Sequence, residues 1–234
     1  MKSPTLIIAF ALALSLLSSG AAWSADYEKG LDALLKGDYE TALQEWEPLA
    51  EQGDAKAQYS LGNLYYFGNG VPRNYEMALK WFRPAAEQGL ARAQYNLGTL
   101  YLPYQGEFCS IFDGPRFDCI DVPIHSHSVT AFPFISRADD PQNHERSYEM
   151  ALKWYRLAAE QGYANAQFVL GQMYAIGKGV PQDSETAMRW YHLAAEQGHA
   201  QALHHLGDMM PGNFSRRLEW HALAEEHGFI EECR

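Results

Sequence analysis

Apolar residues recur along the chain at i, i+3, i+4, i+7 and i+8, the stripe of an amphipathic helix. Ala78, Trp81, Phe82, Ala85 and Ala86 form one such set. Ala151, Trp154, Tyr155, Ala158 and Ala159 repeat it, as do Ala187, Trp190, Tyr191, Ala194 and Ala195. The alanines let neighbouring helices approach and the Trp fills what remains, so truncating such a buried Trp is expected to cost roughly 3–5 kcal/mol. Each stripe closes on a glycine, and the distances Gly53 to Gly89 and Gly162 to Gly198 are both 36 residues. Gly89 to Gly162 is 73, about two units, which marks an insertion. A fixed period of this size predicts a solenoid.

The helix ends repeat with the stripes. Asp38, Asn74, Ser147, Asp183 and Asn213 stand where an N-cap of a second helix belongs. Gly53, Gly89, Gly162, Gly198 and Gly228 each lie 15 residues later, where a left-handed residue ends a helix. Ahead of the second helices, Gly68-x-Gly70 and Gly177-x-Gly179 are each followed by Val-Pro. The in-register Val-Pro makes them interhelical turns rather than phosphate loops. Ten helices in five pairs follow.

The pattern A-x-x-x-LG-x-x-Y, then G-x-G-V-P, then A-x-x-W-aromatic-x-x-AAEQG resembles the SEL-one-like repeat, a relative of the tetratricopeptide repeat. It covers the chain from about Tyr27 to Gly228 apart from the insertion. The resemblance implies an all-α, right-handed α/α superhelical solenoid of about five helix-turn-helix pairs, used mostly as a scaffold for other proteins. Bacterial relatives serve envelope signalling, exopolysaccharide export, flagellar motors and host interaction. By the same analogy, the first helix of each pair lines the concave side. There Lys56, Ser60, Asn63 and Phe67 form a row, continued by Arg92, Asn96 and Thr99, then Asn165, Val169, Gln172 and Ile176, then Gln201, His205 and Asp208. These positions vary between copies while the skeleton does not, as a recognition surface or a neutral exposed face would.

Residues 1–25 read as a secretory signal peptide: Lys2, an apolar run from Leu6 to Leu17, then small residues from Gly20 to Ala25. The run is short of the 20 or so residues that a comfortable membrane span needs. Cleavage predicts a periplasmic or secreted chain without a membrane span, read here as a monomer. The full sequence carries a net charge of −11, with 18 Lys and Arg against 29 Asp and Glu. That composition lacks the basic stripe of a nucleic-acid binder and serves solubility.

Residues 26–53 form a divergent first pair and 54–228 the repeats proper, with 229–234 a tail. In the first pair Glu45 stands where later units have Trp, and Trp46 fills the adjacent aromatic slot; a polar residue there suits a terminal repeat facing water. Pro48 and Pro84 fall inside successive second helices and predict a bend in each. The insertion, residues 103–146, is too apolar for a flexible linker, with Phe108, Ile111, Phe112 and Phe117 among its residues. Its Cys109 and Cys119 predict a disulfide in an oxidising compartment, which would stabilise the loop by roughly 2–3 kcal/mol. Cys233 is left over.

Nine histidines invite a metal reading. Repeat register places His204 in the slot of Tyr59, Tyr95 and Phe168, and His221 in that of Phe82, Tyr155 and Tyr191, which makes both degenerate packing aromatics. His125 and His127 lie in the insertion near Asp113, Asp118, Asp121 and His144, but their spacing matches no established zinc signature. Serines near histidines fall outside any nucleophile frame, and the Ser-x-x-Lys machinery of β-lactamases, an activity described for some relatives, is missing. The expectation is a non-enzymatic, cofactor-free scaffold for an unidentified envelope or extracellular protein, with no nucleic-acid partner. The alternatives are a glycan or peptidoglycan binder using Tyr66, Phe67 and Tyr104, and a metal-binding or hydrolytic protein centred on the insertion.

Overall fold

The computed structural model describes residues 25–102, 141–209 and 214–228. Among them are ten helices and no strand. They are α1 (Tyr27–Leu35), α2 (Tyr39–Glu51), α3 (Ala55–Phe67), α4 (Tyr75–Glu87), α5 (Ala91–Tyr101), α6 (Pro141–Glu160), α7 (Ala164–Ile176), α8 (Ser184–Ala195), α9 (Ala200–Asp208) and α10 (Phe214–Glu226). Each helix packs chiefly on the one before it and the one after it, so five antiparallel pairs stack into an α/α solenoid.

Local chemistry sets the helix ends. Asp38, Asn74 and Asp183 accept hydrogen bonds from the N–H groups of Thr41, Met77 and Thr186, each an N-cap satisfying an orphan donor. The closing glycines, Gly53, Gly89, Gly162, Gly198 and Gly228, all have φ between 76° and 98°. Gly68 and Gly177 cap α3 and α7 in the left-handed region. Their partners Gly70 and Gly179 pass so close to the preceding second helix that an added Cβ would lie 2.3 Å from Tyr39 Cβ and 2.7 Å from Tyr148 Cβ. The G-x-G segment is therefore a turn, as its register predicts.

Side-chain packing explains the rest of the motif. Gly62, Gly98 and Gly171 each lie under an aromatic ring of the following helix, and a Cβ there would come within 2.4 Å of Phe82, 2.9 Å of Tyr155 and 2.5 Å of Tyr191. Helical glycine costs about 1 kcal/mol relative to alanine, and here it admits a fully buried ring. Glutamines connect the units. Gln58, Gln94 and Gln167, all buried, donate to the carbonyls of Ala50, Ala86 and Ala159 at the end of the preceding helix, at 3.0–3.1 Å. Their own side-chain oxygens accept from Gln88, Gln161 and Gln197 at 2.7–2.9 Å, so the AQ and EQG motifs form a ladder along the array.

Three expectations change. Ser147 is not a cap: α6 begins six residues earlier, at Pro141, and Ser147 is buried within it. The predicted loop 103–146 therefore ends in helix. Glu45 does not face water; it is buried, ion-paired with Lys29 and bonded to the Asp26 N–H, and these partners hold its carboxyl below its ordinary range. Trp81 and Trp154 are buried, whereas Trp190 and Trp220 are half-buried against the core. Pro48 and Pro84 do sit inside α2 and α4, as their positions predict. The signal-peptide reading up to residue 24, the cap at Asn213, Cys109, Cys119, Cys233, His125 and His127 lie outside the described residues.

Candidate functional site

The first-helix row is a mixture of surface and frame. Lys56, Phe67, Arg92, Asn165, Ile176 and Asp208 are exposed. Asn63, Asn96, Thr99, Gln201 and His205 are half-buried, while Ser60, Val169 and Gln172 are buried inside the chain and leave the surface row. Ser60 Oγ lies 3.2 Å from the Tyr27 hydroxyl. Asn96 donates to Asn63 across neighbouring first helices at 3.0 Å, and Thr99 Oγ1 meets the Tyr155 hydroxyl at 3.1 Å. The variation along the row is thus partly a record of how each unit meets the next. Phe67 and Ile176 end α3 and α7 at equivalent positions and are 41% and 47% exposed.

A carbohydrate platform needs coplanar exposed rings. Tyr66 and Phe67 stand edge to face at 84°, and Tyr66 is half-buried, its phenol pushed up to about 12 by burial. Tyr104 lies outside the described residues.

The last pair brings together residues that sequence position separates. His204 and Asp208 lie one turn apart on α9, and His221 reaches them from α10. Nε2 of His204 is 3.3 Å from Asp208 Oδ2, and Nε2 of His221 is 3.3 Å from Oδ1. The two imidazoles cross at 86° with centroids 4.6 Å apart. Arg217 also approaches Asp208 Oδ1, at 3.4 Å. Repeat register does put His204 and His221 in ring slots: a Cβ on Gly207 would lie 2.8 Å from the His221 ring, as it would against tyrosine in other units. Their convergence on a carboxylate is what register alone left unread.

Two more histidines pack nearby. His199 caps α9, its Nδ1 accepting from the Ala202 N–H at 3.3 Å while its ring stacks on Phe168 at 4.6 Å. Burial lowers its pKa from an ordinary 6.5 to about 4. His205 stacks on Tyr191 at 5.4 Å and is also shifted down, first by burial and then by His204.

Among the described residues no helix is long and apolar enough to cross a membrane. The Sel1 repeat model matches residues 55–90, 91–111, 141–163 and 164–199. The solved structure of a Sel1 repeat protein from Oxalobacter formigenes superposes with a TM-score of 0.65 at 24% identity, covering 87% of this chain and 71% of that one. The c5321 protective antigen of uropathogenic Escherichia coli strains, which displays an SLR fold, gives 0.64 at 28% identity over 88% of this chain. This chain spans 39% of that antigen's length. No curated protein matches the sequence significantly.

Proposed function

The chain belongs to the Sel1-repeat family, and on that premise we propose that it is an exported, non-enzymatic scaffold that binds a protein in the bacterial envelope or outside the cell. Sel1 repeats are at a coarse level protein-interaction scaffolds. The observation that carries the reading here is the exposed pair Phe67 and Ile176, in register on α3 and α7, flanked on the same row by Lys56, Arg92 and Asn165. Apolar anchors within a polar rim are what a protein partner uses. The recurring carboxylates that could suggest chemistry, Asp38, Asp54 and Asp183, are helix caps. The leader-like first 25 residues support export.

The test is affinity capture from envelope extract with three baits: the exported chain, a Phe67→Ser/Ile176→Ser variant and a chain lacking residues 104–145. A partner retained by the first and lost with the serine variant supports the row. Loss only with the deletion moves the interface to the insertion, and equal capture by all three overturns both. Mass spectrometry of the exported protein should find a new amino terminus near residue 25; a chain still beginning at Met1 refutes export by a cleaved leader.

A further inference from the structure

We propose that His204, Asp208 and His221 form a binding site for a divalent transition ion of the zinc type, separate from the row just described in all but Asp208. The three positions recur throughout the array as ring, polar residue and ring. They are Tyr59, Asn63 and Phe82 in the second pair, Tyr95, Thr99 and Tyr155 in the third, and Phe168, Gln172 and Tyr191 in the fourth. In each of those units the two rings face one another, with centroids 5.6–5.9 Å apart. Only in the fifth pair do all three become metal-ligating side chains together. Packing accounts for a flat ring at two of these places; it does not ask for a carboxylate between two imidazoles.

The geometry fits the ion. Zinc held by nitrogen and oxygen at about 2.0–2.2 Å sets neighbouring donors about 3.3–3.5 Å apart in a tetrahedron. Both His–Asp donor distances are 3.3 Å, and the three donor atoms lie within 4.8 Å of one another. Nε2 of His221 is buried and makes no aligned hydrogen bond among the described residues, although the carboxylate is beside it. Asp208 is 42% exposed at its side chain, so a small rotation brings one oxygen to both imidazoles and leaves the fourth position open to water or a partner's donor. The i, i+4 spacing on α9 fixes two donors on one face, and Gly207 seats the third by letting His221 lie on the α9 backbone. Arg217 opposes an incoming cation, but its side chain is 53% exposed and free to swing away.

Zinc titrated into the exported chain by calorimetry should give a saturable site. His204→Tyr, His221→Tyr and Asp208→Asn each restore a residue that another unit carries, so all three should keep the metal-free melting temperature and helix content. Each should weaken zinc binding at least about a hundredfold, beyond what loss of an outer-shell partner costs. Arg217→Gln should tighten it. Cobalt(II) in the same site should show the intense visible bands of a low-coordinate ion and lose them in the variants. Zinc affinity that is absent from the native chain, or unchanged in the three variants because it resides at His125 and His127, overturns the proposal. So does an Arg217→Gln variant that binds more weakly. Because Phe67 and Ile176 are untouched, failure here leaves the proposed protein interface standing, and failure of that interface leaves the metal isotherm unaffected.

Discussion

The three central pairs, α3 to α8, and the last pair, α9 and α10, share one backbone plan and differ in what fills it. In the central pairs two tyrosine or phenylalanine rings face each other over a glycine, and a glutamine bonds each unit to the one before it. In the last pair both rings are imidazoles, Leu203 replaces the buried glutamine and His227 the ladder donor. The difference separates two demands. The frame requires a flat ring over glycine, which imidazole satisfies. The glutamine has two jobs, bonding back to a carbonyl of the preceding unit and accepting from the ladder glutamine that ends its own pair, and in the last pair that donor position is held by His227. Leu203 is 3% exposed and buries apolar surface instead. The Ala195 carbonyl that a glutamine would have served still accepts the Gly198 N–H at 2.8 Å.

Removing a ring should separate the two regions most sharply. Tyr155 is fully buried, and Tyr155→Ala empties a ring-sized space and strips Thr99 of its hydroxyl partner. It should cost about 3–5 kcal/mol. His221 retains 24% of its side-chain exposure, so His221→Ala should cost about 1–2 kcal/mol without metal. Denaturant unfolding of the two variants checks the ratio; equal losses would mean that the last pair is packed as tightly as the centre.

Acid should act on the last pair first. Between pH 6.5 and about 4 the unfolded chain binds a proton on His199 that the native state, with that imidazole buried, resists. Stability is therefore full above about pH 6.5 and declines as pH falls toward about 4, by about 3 kcal/mol at most. Protonation also removes the Nδ1 lone pair that caps α9. His199→Asn keeps a capping acceptor and should flatten the slope in melting temperature across that window. An unchanged slope would assign it to other groups.

Glycine substitution tests the shared plan itself. Gly171→Ala places a Cβ 2.5 Å from the Tyr191 ring, whereas Gly207→Ala places one 2.8 Å from His221. Overpacking should cost about 1–3 kcal/mol at Gly171 and less at Gly207, where the half-buried imidazole can yield. Thermal unfolding that finds Gly207→Ala the worse of the two would reverse the comparison.

The repeat period, the paired helices, the caps at Asp38, Asn74 and Asp183 and the left-handed closing glycines were legible because single residues decide them locally. Ser147 misled because Pro141, pre-set for the first turn of a helix, opens α6 upstream. Glu45 misled because its cation, Lys29, sits on another helix. The surface row was half legible: periodicity places a residue on a face, but contacts with the adjoining unit decide whether Val169 or Gln172 stays exposed. At the histidine cluster, register gave the ring slots and the i, i+4 pair His204 and Asp208 was in plain view. What joins them is a contact between helices, readable only by noticing that the same two slots face each other in every other unit.

The smallest expected effect concerns the glutamine ladder, and it decides whether the ladder stabilises the array or only follows its geometry. Gln94→Leu copies into the centre what Leu203 does at the end. The change removes one bond to the Ala86 carbonyl and one from Gln161. Neither group is stranded, since Ala86 O still accepts the Gly89 N–H at 3.0 Å and Gln161 also donates to Leu157 O at 3.2 Å. The net loss should therefore be about 1 kcal/mol, the ordinary worth of a bond whose partners keep alternatives. The reverse change, Leu203→Gln, gives the last pair a donor for Ala195 O but buries an amide oxygen in a pair whose ladder donor is replaced by His227, and should destabilise by a similar amount. Urea midpoints at constant m-value measure both. If Gln94→Leu is neutral while Leu203→Gln is costly, burial of apolar surface rather than the ladder holds the units together, and the glutamines only set their spacing.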